Sequence, residues 1–127
     1  MSKAKINEAK EEFGEERRKF NHYIIELFNL KTIFFEDNKR LTDRIIEITK
    51  DLDLKILKNI NHKYVPHGLT SIFILSSSHL IVHTWPEYNY LHIDLFTCSN
   101  IKKELLKVVH KAFNHDNIKL RKIEYAK

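Results

Sequence analysis

Two short stretches of strict alternation constrain this chain more than any other feature. In HLIVHTW, residues 79–85, Leu80, Val82 and Thr84 point one way while His79, Ile81, His83 and Trp85 point the other, because successive side chains alternate across a β-strand. In YLHIDLFTC, residues 90–98, Leu91, Ile93 and Leu95 share one face, and Tyr90, His92, Asp94, Phe96 and Cys98 share the opposite one. The aliphatic face needs a hydrophobic cover. The other mixes aromatic rings with imidazole, carboxylate and thiol, which suits neither bulk water nor a dry core. That second face is the expected site, covered by a partner subunit.

Two amphipathic segments can supply the cover. Asp37 or Asn38 can cap a helix whose apolar residues Leu41, Ile45, Ile48 and Leu52 recur at helical spacing. Ile101, Leu105, Val108, Val109 and Ala112 repeat that pattern after the cap candidates Ser99 and Asn100. FNHYIIELFN, residues 20–29, is rich in aromatic and β-branched residues and reads as a strand. Lys55 to Val65 reads as extended, and Ile118 to Tyr125 as a closing strand. Residues 3–19 are dense in Lys, Glu and Arg and read as an exposed N-terminal helix or a frayed extension. The expected architecture is α+β: a two-layer sandwich, an antiparallel sheet with helices on one face. A chain of 127 residues holds one such domain, here residues 20–127 after an extension over 1–19. Only two glycines and two prolines punctuate it, and Pro66, Gly68 and Pro86 fall close together, so the middle of the chain carries the unusual backbone. Asn89 is suited to a left-handed position.

Several function classes are disfavoured. The apolar-leaning stretch from Leu69 to Val82 is interrupted by Thr70, serines and His79, well short of the roughly 20 residues a bilayer helix needs. The N-terminus runs directly into charged sequence without the apolar core of a signal peptide, so a cytoplasmic location is expected. One cysteine, Cys98, builds neither an internal disulfide nor a thiolate metal cluster; it is a small buried hydrophobe or a reactive thiol. The net charge of +5 arises entirely in the tail, since residues 1–100 carry 14 Lys/Arg against 14 Asp/Glu, and residues 101–127 carry 8 against 3. A solvated lysine face explains that tail better than a nucleic-acid surface does. No metal is expected: Pro86 breaks any helical reading of His83-Thr-Trp-Pro-Glu87, and hydrogen-bonded histidines account for the eight present. A hydrolase using Ser78 and His83 lacks the Gly-x-Ser-x-Gly elbow, and Ser76-Ser77-Ser78 by itself reads as a polar turn.

The strings Tyr64-Val-Pro-His-Gly-Leu-Thr70-Ser, Leu75-Ser-Ser-Ser78-His79-Leu-Ile-Val-His83-Thr-Trp85-Pro-Glu87-Tyr and Asp94-Leu-Phe-Thr-Cys98, in this order and separation, resemble the prokaryotic S-adenosylmethionine decarboxylase proenzyme family. The resemblance is strongest over residues 62–98. It implies a self-cleaving enzyme in which the Ser78 hydroxyl attacks the Ser77 carbonyl, leaving a β chain of residues 1–77 and an α chain of 78–127. The new α-chain terminus is then a pyruvoyl group made from Ser78. That group forms a Schiff base with the substrate amine and withdraws the electrons released on decarboxylation. The resemblance further implies that Thr70 donates to the tetrahedral adduct and that His83 is the base for elimination. It implies that Cys98 assists processing and delivers a proton to the product carbon. Tyr64, Trp85 and Glu87 become substrate-binding residues, with Tyr64 stacking on adenine and Glu87 gripping the ribose hydroxyls. The product would supply aminopropyl groups for spermidine synthesis, and the protomers would pair into a dimer, a larger αββα sandwich.

Some positions differ from the family pattern. Ser77 replaces a glutamate, which removes a carboxylate beside the reacting centre, and Phe20-Asn21-His22 replaces Gly-Arg-His. A rebuilt pocket would suit arginine or ornithine as the alternative substrate. A non-processing homologue that only binds a partner is the alternative of a different class.

Overall fold

The computed structural model describes residues 20–99, 101 and 103–125; the extension expected over residues 1–19 lies outside them. Six strands form one sheet: β1 (Asn21–Leu27), β2 (Ile56–Lys63), β3 (Leu69–Leu75), β4 (His79–Trp85), β5 (Tyr90–Thr97) and β6 (Ile118–Ile123). Their order is β2-β3-β4-β5-β1-β6, and every neighbouring pair is antiparallel. Helices α1 (Ile33–Glu36), α2 (Asn38–Asp51) and α3 (Leu105–Phe113) complete the described elements, with a 3-10 turn over Pro86–Tyr88.

The alternation read from the sequence is the alternation of burial. Leu80, Val82 and Thr84 of β4 and Leu91, Ile93 and Leu95 of β5 are buried, and the residues between them are not. Ile25 and Leu27 of β1 join that core, as do Leu41, Ile45 and Ile48 of α2 and Val108, Val109 and Phe113 of α3. Fully burying one such aliphatic side chain contributes about 1.5–3 kcal/mol, so this layer holds the helices on the sheet. Asp37 starts α2, as expected: its Oδ1 accepts from the backbone amides of Lys39 at 3.0 Å and Arg40 at 3.2 Å, satisfying donors that a helix start leaves free. The short α1 was not foreseen. Its Phe34 meets Phe113 edge-on with ring centroids 5.1 Å apart.

The last helix corrects the sequence reading. It starts at Leu105 with Glu104 at the cap position, whereas Ser99 lies two residues past the end of β5, where its amide donates to Thr97 Oγ1 at 2.9 Å. Asn100, the other cap candidate, lies outside the described residues. Ile101 matches the helical period yet precedes the helix, and packs on the core from irregular backbone. Periodicity cannot separate these cases, because both put an apolar side chain against the same core. The closing strand ends at Ile123, before Tyr125.

The scarcity of glycine is resolved at the turns. Asn29, Asp53, Asn89 and Asn114 hold positive φ angles of 53°, 61°, 51° and 48°. Asn and Asp tolerate this region better than other side-chain-bearing residues. Asn89 is left-handed as expected, and its side-chain amide also donates to Leu30 O at 3.2 Å.

Candidate active site

The open face of the sheet carries the candidate site residues, in two groups. The first lies at the β3–β4 turn. Leu75 N donates to Ser78 O at 2.9 Å and Ser76 N to Lys55 O at 3.0 Å, closing the turn around Ser77. Register places His79 opposite Phe96, so the turn sits beside the end of β5, where Cys98 emerges. The Cys98 thiol is exposed, which removes its reading as a buried hydrophobe, and Sγ lies 3.6 Å from the carbonyl oxygen of Ser77. The neighbouring Ser78 Oγ is buried and has no hydrogen-bond partner among the described residues. An unpartnered hydroxyl beside a carbonyl that faces a thiol donor is chemically free to act as a nucleophile.

The second group lies farther along the same strands. Thr70 and His83 are cross-strand partners, and Thr70 Oγ1 is 2.9 Å from His83 Nδ1. The Tyr64 hydroxyl is 2.9 Å from the same Oγ1. Donation from Nδ1–H to Thr70, and from Thr70 to Tyr64, leaves the His83 Nε2 lone pair free, the form a base requires. The Trp85 ring centroid is 5.8 Å from that of His83. A cavity of ≈ 270 Å³ is lined by Tyr64, His67, Gly68, Thr70, His83, Trp85 and Glu87, with Leu69 and Thr84 beneath. Glu87, on the 3-10 turn, pairs with His67 of the β2–β3 loop. Gly68 holds a φ of 107° and its amide oxygen accepts from Tyr64 N at 2.9 Å. A β-carbon there would meet Thr84 O at an ordinary 3.5 Å, so backbone conformation and not space requires glycine.

Two further networks flank these groups. Tyr90 donates its hydroxyl to Glu26 Oε2 at 2.7 Å, and burial together with that carboxylate raises its pKa. His92 stands between Tyr90 and His83, with centroids 6.3 and 6.2 Å away. Its Nε2 is buried without a partner among the described residues, and burial first, then the neighbouring His83, lowers its pKa. Nearer the turn, Asp94 Oδ1 is 2.9 Å from His22 Nε2 and 3.6 Å from His79 Nε2. The other nitrogen of His22 is 3.0 Å from the Tyr125 hydroxyl, whose pKa is raised by burial and by Asp94.

Within one chain, then, Ser77, Ser78 and Cys98 are together, and Tyr64, Thr70, His83, Trp85 and Glu87 are together, but the two groups are apart. His79 and His83 are four residues apart on one strand, roughly 13 Å. A row of isoleucines runs between the groups: Ile60 pairs with Ile72, Ile72 with Ile81, and Ile24 and Ile81 flank Asp94. Sequence reasoning had singled out neither His67 nor the Glu26–Tyr90 and His22–Tyr125 partnerships. The β1 alternation held a signal for His22 and Glu26, since it puts them on the open face with Ile24. His67 and Tyr125, in loop and tail, left none. Among the described residues no group of three or more His, Cys, Asp or Glu could hold a metal ion, and no helix is long and apolar enough to cross a membrane.

Comparison with known proteins bears on this arrangement. A family model described as S-adenosylmethionine decarboxylase matches residues 21–125. The S-adenosylmethionine decarboxylase proenzyme of Clostridium botulinum (strain Langeland / NCTC 10281 / Type F) is 34% identical over 103 residues, spanning 81% of this chain and 86% of the relative. That of Pseudomonas paraeruginosa (strain DSM 24068 / PA7) is 33% identical over 78 residues, 61% of this chain and 49% of the relative. The crystal structure of the adenosylmethionine decarboxylase from Aquifex aeolicus superposes with a TM-score of 0.70 at 21% identity, covering 83% of this chain and 88% of the other, which establishes the shared fold.

Proposed function

The chain belongs to the S-adenosylmethionine decarboxylase family, and from that premise we propose that it is a self-cleaving, pyruvoyl-dependent decarboxylase of S-adenosylmethionine that cuts itself between Ser77 and Ser78. The observation that carries this reading is the Cys98 thiol 3.6 Å from the Ser77 carbonyl oxygen, beside the buried, unpartnered Ser78 hydroxyl.

Ser78 Oγ adds to the Ser77 carbonyl carbon, and Cys98 donates to the oxygen that gains charge. Collapse breaks the peptide C–N bond and leaves an ester. A base then removes the Cα proton of residue 78, and the carboxylate of Ser77 departs with the C–O electrons. Water adds to the resulting enamine, ammonia leaves, and a ketone remains at the start of the second chain. Ser78 thus supplies the group, with Cys98 beside it. Once formed, that group would supply an electron sink for the pair released with CO2. In this reading Cys98 also returns a proton to the product carbon.

The base is His83, with Thr70 and Tyr64 fixing its ring. Because His83 lies roughly 13 Å along the strand from His79, the reading includes a homodimer. The open face is half apolar, with Ile60 at 45% and Ile74 at 39% exposure. A two-fold axis along the isoleucine row would stack two such faces and set Thr70 and His83 of one copy over Ser78 and Cys98 of the other, at the roughly 10 Å spacing of packed sheets. The cavity by Tyr64, Trp85 and Glu87 would then receive the nucleoside end of the substrate.

The test is direct. Intact mass and a denaturing gel of purified protein should show two fragments, residues 1–77 and 78–127 with a blocked N-terminus, and the cleaved protein should release labelled CO2 from S-adenosylmethionine in preference to arginine or ornithine. A chain that stays continuous through residues 77 and 78 would overturn the assignment.

A further inference from the structure

Cleavage between Ser77 and Ser78, on which this inference rests, turns residue 78 from the interior of a tight turn into a free chain end. Chain ends fray unless contacts other than the covalent chain tie them down. Before the cut, the turn is held by the bond from Leu75 N to Ser78 O at 2.9 Å and by the backbone itself. After it, the first side chain able to anchor the new end is that of His79.

That side chain is gripped on two sides from β5. Its ring stacks on Phe96, with centroids 5.7 Å apart and planes 19° from parallel, and its Nε2 faces Asp94 Oδ1 at 3.6 Å. Asp94 is itself braced. His22 Nε2 lies 2.9 Å from the same carboxylate oxygen, and His22 Nδ1 lies 3.0 Å from the Tyr125 hydroxyl. Donation from Tyr125 to Nδ1 and from Nε2–H to Asp94 satisfies every group in that line and leaves the carboxylate charge for His79. The brace does not depend on the bond that breaks, because β5 is an inner strand, paired with β4 on one side and β1 on the other.

We propose that Asp94, braced by His22 and acting with Phe96, clamps His79 and so holds the reactive carbonyl made from Ser78 in place once the chain is cut. Asp94 is a positioning residue for turnover. It is not needed for cleavage, which happens while the turn is still closed.

The test separates the two stages. Asp94→Asn and His79→Gln are followed for cleavage by intact mass, for turnover by labelled CO2 release, and for amide hydrogen exchange at residues 79–81. Each is also made in the uncut Ser78→Ala background. Both variants should cleave as completely as the wild type, yet lose about ten- to a hundredfold in kcat with KM within about twofold. Exchange at residues 79–81 should accelerate only in the cleaved forms, and Asp94→Glu should recover part of kcat. Wild-type kcat in both variants, or equal acceleration in the uncut background, would overturn the clamp. An uncut wild type would overturn the functional reading and the clamp with it, whereas an active wild type beside equally active variants overturns the clamp alone.

Discussion

The Cys98 thiol and the Ser77 carbonyl meet at 3.6 Å although they lie on different strand ends, because β4 and β5 pair with His79 opposite Phe96. Removing the thiol leaves the carbonyl oxygen without that donor. Cys98→Ala should therefore slow self-cleavage by up to about a hundredfold, measured as the rate of fragment appearance on a gel, and whatever cleaves should decarboxylate poorly. Normal turnover would refute both roles of the thiol.

Ser78→Ala lacks the attacking oxygen and should remain a single chain indefinitely. Mixed with His83→Ala, it makes a sharper test of the face-to-face dimer. His83→Ala alone should stay uncut, but co-refolded with Ser78→Ala its chain should be cleaved, because the intact imidazole arrives from the other copy. Failure of the mixture to cleave would mean that the two groups do not meet across a dimer.

Ile72→Lys places a charge in the middle of the isoleucine row, where it would have to be buried between two sheets. Sedimentation should show monomers, and cleavage should be lost with the dimer. Cleavage at the normal rate by a monomer would exclude the shared site.

Thr70→Val keeps the shape but severs Tyr64 and His83. The cost to stability should be about 1 kcal/mol, read from urea denaturation, while the elimination step should slow by about tenfold or more as the imidazole loses its fixed orientation. A rate unchanged from the wild type would remove Thr70 from the site.

His92 gives the fold a pH dependence of known sign. Its folded pKa lies below the ordinary histidine value of 6.5, chiefly through burial and then through His83. In that window the unfolded chain binds a proton that the folded one does not, so stability falls as pH drops through it. The difference in urea midpoint between His92→Leu and the wild type should shift in favour of the variant between pH 7.5 and pH 5. A difference independent of pH would contradict the assignment.

Much of this was legible in the chain. The two alternating stretches give the sheet's two faces, and Leu41, Ile45 and Ile48 mark the helix that covers one of them, because a period of two or of 3.6 survives any detail of packing. What stayed hidden depends on register and distance. Nothing in the order of residues reveals that Thr70 stands opposite His83, that His22 reaches Asp94, or that Ser78 and His83, five positions apart, belong to separate clusters. The start of α3 was misread for a related reason: Ile101 fits the period but not the helix.

The strand order carries a consequence for the life of the molecule. Residues 1–77 bring β1, β2 and β3, residues 78–127 bring β4, β5 and β6, and β1 is inserted between β5 and β6. If the chain is cut as proposed, the halves would therefore be interleaved and not merely side by side. An uncut chain folds by a first-order search, but a chain cut between Ser77 and Ser78 would, once unfolded, have to bring two polymers together and seat β1 between two strands of the other, so under the proposed cleavage denaturation by heat or denaturant would not be readily reversed.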